Sequence, residues 1–294
     1  MFDRCFALLL CVLAVSGLAA PLHAQPYERM VQDTVSLTSG SVSVENEEGS
    51  ITVSTWTRDA VAYEARIVSE QAQEFVDETE IEVEKFNQKL SLASTFEALD
   101  PQWSFGPELY GYGVSTPEVH YTLTIPKSAA LSVADEESNI EIAGIRAPLQ
   151  VETDEGTVQV ADQEGATQID THEGSVTVSD VRGDLKIETH EGVASVEDLR
   201  GDLLLDTHEG QAEVAIDSLG AVEVDTHEGR VDLTVSRDTG FDLSTDFDED
   251  TDFQSDFALD SIRDEDGNYH GAVQDGGPLV HLTSHEGQIT LNGR

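Results

Sequence analysis

From Ser138 to Glu228 apolar and polar residues alternate in short runs, and glycine interrupts the runs at regular intervals. Alternation of period two is the signature of a strand with one buried face. The clearest unit, Gly174 to Glu191, holds two nine-residue halves, each opening on glycine. Its inward set is Val176, Val178, Val181, Leu185 and Ile187. The next unit repeats the set with Ala194, Val196, Leu199, Leu203 and Leu205, and the following one with Ala212, Val214, Val222 and Val224. Upstream, Ile140, Ile142, Ile145, Leu149 and Val151 fit the same frame. The unit from Gly156 keeps Val158, Val160 and Ile169 but turns Thr167 inward.

Thr-His-Glu-Gly recurs at Thr171–Gly174, Thr189–Gly192, Thr207–Gly210 and Thr226–Gly229, so the period is 18 residues with one 19-residue step. A short fixed period predicts stacked coils, each too small to bury a core alone. The expected fold is therefore all-β: a single-domain, right-handed parallel β-solenoid of about 18 residues per coil with an N-terminal β cap. A bulge near Ile216–Leu219 would absorb the extra residue. Glycines at 174, 192, 210 and 229 follow one corner, and those at 165, 183 and 201 mark the other, where positive φ is tolerated.

The remaining chain divides around this block. Residues 25–132 read as a cap with the first coils, including strands at Val61–Val68, Ile81–Leu92 and Tyr121–Ile125 and a loop at Phe96–Thr116. A cap is expected because an open solenoid end invites edge-to-edge aggregation. Residues 133–236 hold the regular repeats, and 237–277 form an acidic insertion. Residues 278–294 return as a closing coil with a fifth His-Glu-Gly at His285–Gly287.

Residues 1–24 read as a signal peptide, with Arg4 in the n-region, an apolar run from Cys5 to Ala20 and cleavage before Gln25. Both cysteines, Cys5 and Cys11, fall inside it, so the mature chain has no thiol chemistry. No second apolar run of membrane-spanning length follows. The expected location is the periplasm, the cell surface or the exterior.

Net charge changes the picture most. At −44 the chain excludes nucleic acid as a partner, because binding it requires basic side chains that displace counterions. Anionic membrane surfaces are disfavoured for the same reason. The chain has four lysines only: Lys85, Lys89, Lys127 and Lys186. Abundant carboxylate with scarce lysine points to a salty exterior, where self-repulsion is screened.

The layout resembles a bacterial group, the β-strand-repeat "putative adhesin" domain family. The matching stretches are Ser41–Trp56, Val119–Pro126 before the coils, the repeated Leu-x-[Ile/Leu/Val]-x-Thr-x-x-Gly corner, and Gly276–Leu291. The resemblance implies a non-catalytic, adhesin-like or envelope role with an unknown protein or glycan partner. It implies no active-site residue. This chain departs from the family in placing His-Glu at a corner where Ser-Asn or Asn is more usual.

The candidate chemistry lies in ladders. Alternation back from the inward Ile187 turns Thr189 in and His190 out, so His172, His190, His208 and His227 form an exposed column about 4.8 Å apart. With Glu173, Glu191, Glu209 and Glu228 they are candidate ligands for zinc, although two nitrogens on one zinc lie at most about 4.2 Å apart. The same column is a candidate pH switch, with stacked rings resisting protonation and carboxylates favouring it. Asp246, Asp248, Asp250 and Asp252 alternate and would share a face if extended, a candidate calcium site beside the acidic turn Asp264–Asn268. Thr171, Thr189, Thr207 and Thr226 are expected to satisfy one another's hydroxyls. Arg146, Arg182 and Arg200 are expected to pair with Glu164, Asp184 and Asp202. No cofactor motif, nucleophile triad or phosphate loop is present. A polysaccharide-cleaving β-helix would need a basic groove, which so acidic a surface does not offer.

Overall fold

The computed structural model describes residues 26–95, 116–265 and 267–294. The proposed signal peptide, both cysteines, most of the expected Phe96–Thr116 loop and Asp266 lie outside the described residues. The strands in chain order are β1 (Tyr27–Ser36), β2 (Gly40–Glu45), β3 (Glu48–Trp56) and β4 (Ala60–Ser69). A short helix, α1 (Gln73–Glu78), precedes β5 (Glu80–Phe86), β6 (Lys89–Thr95) and β7 (Glu118–Pro126). The long strands are β8 (Ala129–Ala143), β9 (Leu149–Glu164), β10 (Thr167–Arg182), β11 (Leu185–Thr207) and β12 (Gln211–Thr226). Then come β13 (Arg230–Val235), β14 (Phe241–Phe247), β15 (Asp252–Ser255), β16 (His270–Val273), β17 (Leu279–Ser284) and β18 (Gln288–Gly293). All belong to one long sheet that does not close on itself.

In the middle of the sheet β8, β9, β10 and β11 pair parallel. Ile169 lies between Val151 and Ile187, so neighbours in space are 18 residues apart in sequence. β8 to β11 each run through the His-Glu-Gly corner or its equivalent, whereas that corner precedes and follows β12. Every inward position named above is buried, Thr167 included. Stacked rows of valine, isoleucine and leucine fill the interior, each fully buried side chain contributing roughly 1.5–3 kcal/mol. Between β11 and β12 the register slips around Leu199 and Gly201, opposite Ile216–Leu219, which is where the additional residue is absorbed.

The sheet is mixed, not parallel throughout. β1 and β7 flank β4 antiparallel, β5 pairs antiparallel with β6, and β16 with β14. These returns cover edges that a purely parallel stack would leave open at its ends. Ile81–Leu92 is a hairpin and not one strand, turning at Asn87 with φ 55°. The helix α1 has no amphipathic repeat to betray it. It is held by the Arg29 guanidinium, whose Nε donates to the Val76 carbonyl at 3.0 Å.

Both ends of the stack are laced out of sequence order. β2 and β3 lie between β8 on one side and β6 and β7 on the other. Likewise β17 and β18 sit between β12 and β13 on one side and β14 and β15 on the other. The chain's last coil therefore does not close the far end; the acidic segment 237–277 does. Burial explains the order. Val280, Leu282, Ile289 and Leu291 are completely buried and need a neighbour on each side. Phe247, Phe253 and Tyr269 are only half-buried, their rings packing at 5.1 and 5.2 Å as an outermost lid.

Candidate functional site

The two corners of each coil obey the same steric rule. Gly174 has φ +139°, which a side chain would strain, and a methyl there would collide with the carbonyl oxygen of Gly156 in the coil below. Gly192, Gly210 and Gly229 have no such φ, yet a methyl at each would strike the corresponding glycine of the preceding coil. Close backbone approach, more than positive φ, sets these glycines. The inner threonines do not bond one another, contrary to expectation. Thr171 donates to its own corner's Glu173 carbonyl at 3.2 Å, and Thr226 accepts from the Gly229 amide at 3.1 Å.

With the backbones pinned at this pitch, the residue after each threonine points outward over its counterpart. The rings of His172 and His190 stack with centroids 4.8 Å apart and those of His208 and His227 at 4.6 Å, while those of His190 and His208 lie 4.5 Å apart, tilted by 46°. His285 joins as a fifth ring, 5.0 Å from His227. Sequence order hides this member, because β17 must first slide in beside β12. Register continues the column with Asp154 at one end and Asp248 at the other. Asp248 bonds the His285 ring at 2.8 Å, and that hydrogen bond, with the surrounding carboxylates, holds the imidazole above its ordinary pKa.

Carboxylates flank the imidazoles on both sides. On the corner, Glu173 pairs in register with Glu191, followed by Glu209, Glu228 and Glu286, whose amides bond the preceding coils. The His208 and His227 Nδ1 atoms stand 3.9 and 3.8 Å from the Oε1 atoms of Glu209 and Glu228. On the strand side runs a second acidic column of Glu152, Asp170, Glu188, Asp206 and Asp225. Its signal was present as an acid two positions before His172, His190, His208 and His227. Partial burial pushes the Asp206 carboxyl up, and the like charges of Asp225 and Glu188 add to it.

The opposite corner is compensated. Asp162, Arg146, Glu164, Arg182, Asp180, Arg200, Asp217 and Arg294 form an unbroken chain of alternating charge along the coils. Arg146 grips Asp162 with two bonds of 2.9 and 3.0 Å. Glu164 is a partner as expected, but Asp184 and Asp202 are not. The true partners Asp162 and Asp180 adopt φ near +52° and +55°, which swings their carboxylates along the stack.

The four aspartates of the acidic segment do not share one face. Asp246 lies near the end of β14, Asp248 and Asp250 fall in the turn, and Asp252 opens β15. Asp248 is engaged by His285, and Asp252 accepts from Gln288 Nε2 at 3.0 Å. The chain turns between β14 and β15 because those strands follow β17 and β18 around their own corner. Among the described residues no three His, Asp or Glu side chains converge as they stand to hold a metal ion.

Beside the strand-side acids an open groove of about 720 Å³ crosses the coils, lined by Ser132, Gln150, Gln168, Lys186, Leu204 and Glu223 among others. Among the described residues no helix is long and apolar enough to cross a membrane. The chain belongs to the Toastrack DUF4097 family, whose model matches residues 39–292. Two solved structures are similar at low identity. One is a "putative cell adhesion protein" from Clostridium sporogenes, 8% identical with a TM-score of 0.30, covering 92% of this chain and 100% of that one. The other is a "putative adhesin" from Bacteroides fragilis, 10% identical with a TM-score of 0.35, covering 90% and 97%. No curated protein matches the chain.

Proposed function

We propose that this protein is a non-catalytic, exported, adhesin-like scaffold of the cell envelope, wound as a β-solenoid of about 18 residues per coil. Its role is to present repeated acidic and imidazole groups to a protein or glycan. The observation that supports this most directly is the edge itself: five imidazoles at 4.5 to 5.0 Å spacing between two carboxylate columns. Identical groups at one fixed spacing favour an extended ligand that makes many weak contacts in series, where avidity compounds. A catalytic centre instead needs unlike groups converging on one point. The open groove beside the acids gives such a ligand a track across several coils.

Arrays of glycans and of basic peptides, probed with the purified protein in the presence of a chelator, test the proposal. Retention that weakens with salt and falls in the His172, His190, His208 and His227 quadruple alanine variant is the expected result. Absence of any retained probe would remove the binding role. Shortening of any carbohydrate during the incubation would remove the non-catalytic one.

A further inference from the structure

We propose that the His-Glu edge captures divalent transition-metal ions, each held between two neighbouring corners by two imidazoles and two carboxylates. This deepens the display role by naming one ligand of the edge. The strongest pair is His208 and Glu209 with His227 and Glu228. The two rings are nearly parallel, 2° between planes and 4.6 Å between centroids. Each ring nitrogen already stands 3.8 or 3.9 Å from its own glutamate oxygen. One zinc, with bonds of about 2.0–2.2 Å to nitrogen and oxygen, holds neighbouring ligands of a tetrahedral set about 3.3 Å apart. Each nitrogen–oxygen pair must therefore close by about half an ångström to share one ion. Imidazole lone pairs lie in the ring plane, so the two stacked rings must also turn their nitrogen edges toward a shared ion.

The frame beneath keeps still while they do. The Glu228 amide bonds the His208 carbonyl at 2.8 Å, and the Glu209 amide bonds the His190 carbonyl at 2.9 Å. Two nitrogens and two oxygens make the four-coordinate donor set zinc prefers. His172 and His190, with Glu173 and Glu191, repeat the arrangement with rings 4.8 Å apart. His285 is already engaged by Asp248, so the column divides into two non-overlapping pairs. Asp206 and Asp225 lie behind the rings and raise the local cation concentration. Imidazole nitrogen selects zinc, nickel or copper over calcium, which takes oxygen ligands.

The test is calorimetric titration of the purified protein with zinc chloride at pH 7.5, in molar salt to screen the general acidic field. The expected result is saturable binding of about two ions per chain. H208A/H227A should lose one of the two sites, and E209Q/E228Q should weaken that site at least tenfold. H120A, which alters a ring away from the column, should change nothing. Proton competition should abolish binding at pH 5. Folding of each variant is read separately, from the strand signal in circular dichroism. A flat zinc isotherm with folded wild-type protein would overturn the proposal. So would a double variant that binds like wild type, or calcium displacing zinc at equal concentration. Because the array experiment runs in chelator, loss of zinc binding leaves partner capture intact, and each reading can fail alone.

Discussion

At the arginine corner, Arg146, Arg182 and Arg200 each bond two carboxylates, so that opposite charges alternate along the stack. At the histidine corner, 18 residues of the same backbone bring imidazole over imidazole and carboxylate beside carboxylate, with no guanidinium between them. The glycine ladders are sterically alike on both sides, so the difference is one of charge alone. One edge is finished internally, its donors and acceptors spent on each other. The other keeps unspent capacity for protons, cations or a partner, in a protein of net charge −44. Repetition thus multiplies whatever one coil does at each corner: it zips where signs alternate and displays where they do not.

The comparison is broken most severely at the shared steric rule. Gly174→Ala at one corner and Gly183→Ala at the other should each lower stability by about 2–3 kcal/mol, since both force a side chain into positive φ against a carbonyl. Urea unfolding of the two variants checks this. A loss at one corner only would show that the edges do not share a backbone constraint.

The next effect lies just inside the histidine-side corner, where Asp135 stands in the row that later coils fill with threonine. Burial pushes its carboxyl up to about 6, against hydrogen bonds from Ser138 and Thr153 that favour the charged form. Below pH 3.8 the group is protonated folded and unfolded, and contributes nothing. As pH rises toward 6 the unfolded chain ionises first, so stability declines through that window and stays reduced above it. Asp135→Asn should therefore gain about 1–2 kcal/mol at pH 7 and flatten this slope. Denaturant melts at pH 4 and pH 7 measure it; equal midpoint shifts at both would count against ionisation as the cause.

Arg182→Met cuts the charge zipper at its centre and leaves Glu164 facing Asp180. Both partners are about half exposed, so solvent screening limits the loss to about 1 kcal/mol or less, largest in dilute salt. Melting temperatures across a salt series check the trend. His190→Ala should be the mildest, under about 0.5 kcal/mol, because an exposed ring in a display column packs little. If it destabilises as much as Arg182→Met, the imidazole column is structural cement and the contrast between the edges fails.

Much of this was legible in the chain. Period-two alternation named the buried rows, and the repeat length fixed which residues lie above one another, because stacked backbones hydrogen-bond at one pitch. That is enough to place His190 over His172 and to make the corners glycine. The charge partners at the arginine corner were not legible. They depend on aspartates turning through positive φ, a local event with no periodic trace. Nor was the order of the coils at either end. His285 lies far along the chain from His227, and only the sheet brings β17 in beside β12, because its completely buried residues need neighbours on both sides. The sequence by itself determined what one coil looks like and how it repeats, since those depend on local geometry and spacing. Tertiary structure decided which coils end the stack, which strands run back to cover the edges, and how many rings the column holds. Those outcomes rest on exposed backbone edges and apolar surface finding cover, and distance along the chain does not encode that competition.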